Sequence, residues 1–81
     1  MTSYRTPRFE RSFRKSSEVV RSAFEKQLGF LLHDIRHPSL RAKKYDEARG
    51  IWQARVTSNV RFYFSITGNT YTILDIEKHL N

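Results

Sequence analysis

Eighty-one residues support one small hydrophobic core, so residues 1–81 are expected to form a single domain. With 38% hydrophobic and 14% aromatic residues, no cysteine and no apolar run near the ~20 residues of a membrane span, the composition excludes a disordered chain, a disulfide framework, a thiolate zinc site and a membrane helix; the basic start lacks a signal peptide's apolar segment, and a cytoplasmic protein is expected. Fifteen Lys and Arg against eight Asp and Glu give a net charge of +7, which points to a polyanion, an acidic protein partner, or both.

"SYRT" reads as a short extended start. Thr6-Pro7 then has the form of an N-cap followed by proline at the first helical position, and Phe9 and Phe13 lie four apart on one face of a short helix. Ser16-Ser17 interrupts it and caps a second helix, with Glu18 in the first turn where the helix dipole favours an anion. Val20, Phe24, Leu28, Leu31 and Ile35 form one buried stripe, and Arg36-His37-Pro38 is expected to end it, giving a helical hairpin over residues 8–36.

Residues 38–50, "PSLRAKKYDEARG", have no strong period and read as a cationic connecting loop. Beyond them the period switches to two. "IWQARV", "VRFYFSI" and "TYTILDIEK" are separated by Thr57-Ser58-Asn59 and Thr67-Gly68-Asn69, the pattern of an antiparallel meander. The expected fold class is therefore α+β, in the order β-α-α-β-β-β, with the helical hairpin covering one face of an antiparallel sheet of about four strands.

Alternation sorts the strand residues onto two faces. Trp52, Ala54, Val56, Val60, Phe62, Phe64 and Ile66 form the helix-facing set, and Trp52 is expected in the core. Arg55, Arg61 and Tyr63 fall on the open face. In the last strand Thr72, Leu74 and Ile76 are expected to be buried, leaving Tyr71, Ile73, Asp75, Glu77 and His79 with the arginines; a β-bulge would shift this by one residue. Asp75 and Glu77 have an ordinary role available as cross-strand partners that neutralise Arg55 and Arg61.

The open-face set suits cleavage of a phosphodiester without a metal. Such a reaction needs proton transfer, for which histidine is suited near neutral pH, and fixed cations where charge develops on the phosphate. Arginine presents a planar fork to phosphate oxygens, and tyrosine offers a face on which a base stacks. Lys43 and Lys44 would add cations at the rim. "HDIRH" places His33 and His37 four apart, as in the HExxH zinc motif. Its acid is aspartate, its second histidine precedes a proline, and no third ligand stands out, so no metal or other cofactor is expected.

The order of elements, the segment "HPSLRAKKYDEARGIWQARV", the strand "VRFYFSI" and the ending "ILDIEKH" resemble the RelE/ParE superfamily, the toxins of bacterial type II toxin–antitoxin systems. The resemblance covers nearly the whole chain and implies two activities. RelE-like members are ribosome-dependent endoribonucleases that cut mRNA, whereas ParE-like members poison DNA gyrase and are not enzymes. On the RelE-like branch, it implies Lys43 or Lys44, Arg55, Arg61 and His79 as the working residues; taken with the open-face reading, His79, Arg61 and Arg55 are the expected catalytic residues and Lys43, Lys44 and Tyr63 the expected substrate-binding residues. It also implies an acidic antitoxin as partner, beside mRNA and the ribosome. The ribonucleases often carry an aromatic shortly after the C-terminal histidine or arginine, and here only Leu80-Asn81 follows His79. Three readings then stay open: Tyr63 stacks the base, catalysis is weak, or the chain is a degenerate RNA-binding member without toxicity.

Overall fold

Capping residues set where the helices begin. The computed structural model describes residues 1–79. Strand β1 (Thr2–Arg5) leads into helix α1 (Pro7–Arg14), where the Thr6 hydroxyl accepts the Phe9 amide at 3.1 Å and Pro7 fills the first turn. Ser17 caps α2 (Glu18–His33) in the same way, accepting the Val20 amide at 3.2 Å. Phe24, Leu28 and Leu31 of the expected stripe are buried, and Val20 and Ile35 pack against them half-buried. The helix stops at His33 rather than Arg36. Asp34 is extended, and its carboxylate accepts the Arg36 amide at 2.9 Å, a local bond that competes with another helical turn.

The segment expected to be a loop carries a 3₁₀ turn (Pro38–Leu40) and a short strand, β2 (Lys43–Asp46). Strands β3 (Ile51–Thr57), β4 (Val60–Thr67) and β5 (Thr70–Lys78) follow. The α+β class and the element order stand, but the sheet has five strands, ordered β1-β5-β4-β3-β2, and β1 runs parallel to β5. The extra strand has a local cause. The short edge strands β1 and β2 obtain their ladders from long neighbours, so their own sequences carry little of the signal.

The core lies between the helices and one face of the sheet, where Phe9, Phe24, Phe62 and Phe64 are fully buried. Phe24 meets Phe62 edge-on at 5.2 Å, a favoured aromatic geometry. Arg5 ties β1 to both helices: its guanidinium lies 5.2–5.8 Å from the centres of the Phe9, Phe13 and Phe24 rings and pairs with Glu25 at 2.6 Å.

Strand β5 corrects the expected face assignment. Its register against β4 shifts between Tyr63 and Phe64, so Asp75 pairs with Tyr63 while Ile73 pairs with Phe64, and Leu74 is the extra residue. Before the bulge Tyr71 and Ile73 are therefore buried, not Thr72 and Leu74. After it Ile76 faces the core, and Asp75 and Glu77 keep the expected open side. Trp52, expected in the core, is half-buried on β3 between its neighbours Phe64 of β4 and Lys44 of β2, whose ammonium lies 5.3 Å from its ring.

Candidate functional site

Arg55 and Arg61 are direct cross-strand partners at the end of the β3–β4 hairpin, and the β-ladder leaves them side by side on the open face. Both guanidiniums bond into the turn. Arg61 donates to the Thr57 carbonyl at 2.8 Å and the Ser58 carbonyl at 3.3 Å, and Arg55 Nε donates to Thr57 at 3.4 Å. His79 is held beside the same turn, because its amide donates to the Asn59 carbonyl at 2.7 Å. The end of β5 is thus tied to the turn that carries the two arginines.

Together with Lys43, Lys44 and Arg41, these residues line an open hollow of about 510 Å³. Five of the six residues singled out from sequence meet there: His79, Arg61, Arg55, Lys43 and Lys44. The two lysines are not equivalent. Lys43 pairs with Gln53 on the open face, whereas Lys44 pairs with Trp52 and directs its ammonium over the indole. Tyr63, the sixth, lines a neighbouring hollow of about 450 Å³ with Arg8, Arg49, Leu74 and Asp75.

Three residues that line the cationic hollow, Gln53, Tyr45 and Arg41, were not singled out from sequence. Tyr45 is the unpaired residue of a register shift in β2, 58% exposed, and its ring meets Tyr63 edge-on at 4.9 Å. It lines both hollows. Arg41 follows the 3₁₀ turn in the left-handed region, at φ 47° and ψ 43°. Neither a period nor a motif marks Tyr45. The left-handed Arg41 carries no glycine or asparagine to announce it.

The acids of this face do not neutralise the arginines. Asp75 turns to α1, accepting Arg8 Nε at 3.1 Å and the Ser12 hydroxyl at 2.8 Å. Glu77 pairs with Arg61 in the ladder without forming an ion pair, and its charge is felt by Tyr63. Burial, then that carboxylate, pushes the Tyr63 phenol up to about 12, so it stays protonated at neutral pH. Among the described residues Arg41, Lys43, Lys44, Arg55 and Arg61 have no carboxylate partner within ion-pair distance. Arg41, Lys43, Arg55 and Arg61, cations without acid partners around one hollow, suit an anion with several charged oxygens.

Among the described residues no three His, Cys, Asp or Glu side chains converge as metal ligands. The two histidines of "HDIRH" are separated by the end of α2. His37 Nδ1 accepts the Ser39 amide at 3.1 Å, and its ring stacks on Phe30 at 3.8 Å, so it serves as a cap of the 3₁₀ turn. Among the described residues no helix is long and apolar enough to cross a membrane.

No protein-family model matches the sequence, and no curated protein matches it. Solved structures do. The chain is similar to the YoeB/ParE toxin from Agrobacterium tumefaciens, with 12% identity, a TM-score of 0.80, and coverage of 99% of this chain and 100% of the other. The YoeB dimer from Staphylococcus aureus gives a TM-score of 0.81 at 10% identity, covering 99% and 98%. The toxin–antitoxin complex RelBE of E. coli gives 0.74 at 14% identity, also covering 99% and 98%. This chain therefore has the RelE/ParE-like toxin fold, as its sequence resemblance implied.

Proposed function

We propose that this chain is the toxin of a toxin–antitoxin pair and that it acts as a metal-independent, ribosome-dependent mRNA endonuclease. The observation that carries this reading is the convergence of His79, Arg61, Arg55 and Lys43 on one hollow, with no acid paired to its cations among the described residues. In the reaction the 2′-oxygen loses its proton and attacks phosphorus. The bond from phosphorus to the 5′-oxygen breaks, and that oxygen takes up a proton, leaving a 2′,3′-cyclic phosphate and a 5′-hydroxyl. His79 carries one of the two proton transfers, with Lys43 beside it to assist and orient the strand. Arg55 and Arg61 sit where charge grows on the phosphate oxygens, and their bonds to the Thr57 carbonyl hold them in place before the substrate arrives. The exposed ring of Tyr45 is better placed than Tyr63 to stack a base, since Tyr63 lies edge-on against it.

An acidic antitoxin suits the same surface. The fold is shared with the toxin–antitoxin complex RelBE, and a net charge of +7 with a cluster of unneutralised cations favours an acidic partner.

The test is to induce the chain alone in a bacterial host and follow methionine and thymidine incorporation in parallel, for wild type and His79→Ala. Methionine incorporation should collapse first, and the variant should fold but lose roughly 10²–10⁴-fold in mRNA cleavage. A fall in thymidine incorporation first would replace this reading with gyrase poisoning. A folded His79→Ala protein with full toxicity would remove His79 from its role.

A further inference from the structure

A second cationic hollow, of about 560 Å³, adjoins the one around His79, between α2, the 3₁₀ turn and the β3–β4 turn. Lys26, Arg41, Arg55 and Ser58 are among its lining residues, no acid is, and Arg41 and Arg55 line both hollows. The two spaces therefore share a wall made of two cations. Among the described residues neither Lys26, Arg41 nor Arg55 has a carboxylate within ion-pair distance.

That wall is built on a buried amide. Gln27, on the inner face of α2, donates to the Ser39 carbonyl at 3.0 Å and to the Arg55 carbonyl at 2.8 Å, and the Ser39 hydroxyl donates back to its oxygen at 2.9 Å. One side chain thus joins the 3₁₀ turn to the backbone of Arg55 and fixes Arg41 and Arg55 relative to each other. Arg41 is also the one non-glycine residue with positive φ among the described residues. A sterically costly backbone at a cation between two hollows is the kind of outlier from which a functional constraint is argued.

We propose that this second hollow is a phosphate subsite: it holds a phosphate of the same RNA strand, beyond the one being cut, through Lys26, Arg41 and Arg55, with a hydroxyl from Ser58. The inference rests on the RNA-cleavage reading and extends it. The lining holds cations and hydroxyls but no aromatic ring, so it takes the strand's backbone and not a base. The strand would pass around the free edge of β3, which has lost its β2 partner beyond Gln53.

The test uses 2′-O-methyl ribo-oligonucleotides, which bind but lack a 2′-hydroxyl to attack the phosphate. A trinucleotide reaches one hollow and a nonanucleotide reaches both. In amide NMR spectra of the wild type, the nonanucleotide should shift Lys26, Ser39 and Ser58 together with Arg61 and His79, and the trinucleotide should shift the latter pair without the former three. Lys26→Gln, on the outer surface of α2, should lower the slope of log affinity against log salt by about 0.7 for the nonanucleotide and leave the trinucleotide unchanged. Arg41→Asn, with a residue that accepts the left-handed region, should lower the slope for both strands. Equal slopes for wild type and Lys26→Gln on the nonanucleotide, with no shift at Lys26 or Ser58, would overturn the second subsite and leave the cleavage reading intact. If neither strand binds the wild type, the subsite is overturned as well, while the ribosome-dependent cleavage reading is decided separately by the incorporation and mRNA-cleavage assay.

Discussion

The two hollows of the open face are neighbours on one sheet, share Tyr45 and are both lined by arginine, yet they differ in what their cations touch. In the Tyr63 hollow the cations are neutralised. Arg8 pairs with Asp75 at 3.1 Å, and Arg49 with Asp46 at 2.7 Å. Around His79 the cations have no such partners among the described residues, and the two arginines bond to backbone carbonyls, which orient a guanidinium without cancelling its charge. A net charge of +7 says that a basic surface exists; the pairing pattern says where its field is directed.

The contrast can be broken or sharpened in order of expected effect. The largest expected change is at the shared residue. Tyr45→Ala should weaken binding of an uncleavable strand by roughly 5- to 150-fold, the loss of about 1–3 kcal/mol of base stacking, whereas Tyr63→Phe should leave it nearly unchanged. Anisotropy titrations with a labelled strand measure both, and equal losses would mean that the Tyr63 hydroxyl contributes to binding as much as the Tyr45 ring. A smaller change is expected for the neutralised cations. Arg8→Ala and Arg49→Ala should each alter unfolding free energy by no more than about 1 kcal/mol and leave the salt dependence of strand binding as in wild type. A drop in salt slope for either would show that its ion pair opens to take phosphate.

The smallest effect is a titration. The raised pKa of Tyr63 favours the protonated phenol in the folded state, so its contribution to stability is complete below its ordinary value of 10.0 and is lost as pH rises through about 12. Chemical denaturation between those values should show stability falling in wild type and falling less steeply in Tyr63→Phe. Identical pH profiles would mean that Glu77 and burial do not act on this group.

Much of this arrangement is legible in the sequence, and the rest is hidden for identifiable reasons. The caps at Thr6 and Ser17 were readable because capping is local: side chain and amide lie three residues apart. His79, Arg55 and Arg61 were readable as neighbours because alternation carries from one paired strand to the next. Strand β2 was hidden because three charged residues and one tyrosine form a strand there through pairing with Ile51–Gln53, not through a pattern of their own. Tyr45 and Arg41 were hidden with it. The bulge at Leu74 misled in a bounded way. Faces assigned for Tyr71 to Leu74 were inverted, while those from Asp75 onward were correct, because one inserted residue changes the phase on one side of itself.

Strand β5 has a further consequence, set by the order in which a chain is made. It is the last of the described strands in sequence, yet it lies inside the sheet, between β1 and β4. While translation is still short of it, β1 has nothing to pair with, since Thr2 meets Thr70 across most of the chain's length. Phe64 likewise lacks Ile73, its partner in the finished ladder. A nascent product lacking β5 holds both arginines but neither the histidine nor a closed core. Closure of the core and arrival of His79 are one late event, so unfinished copies emerging from a ribosome carry the cations without the complete site.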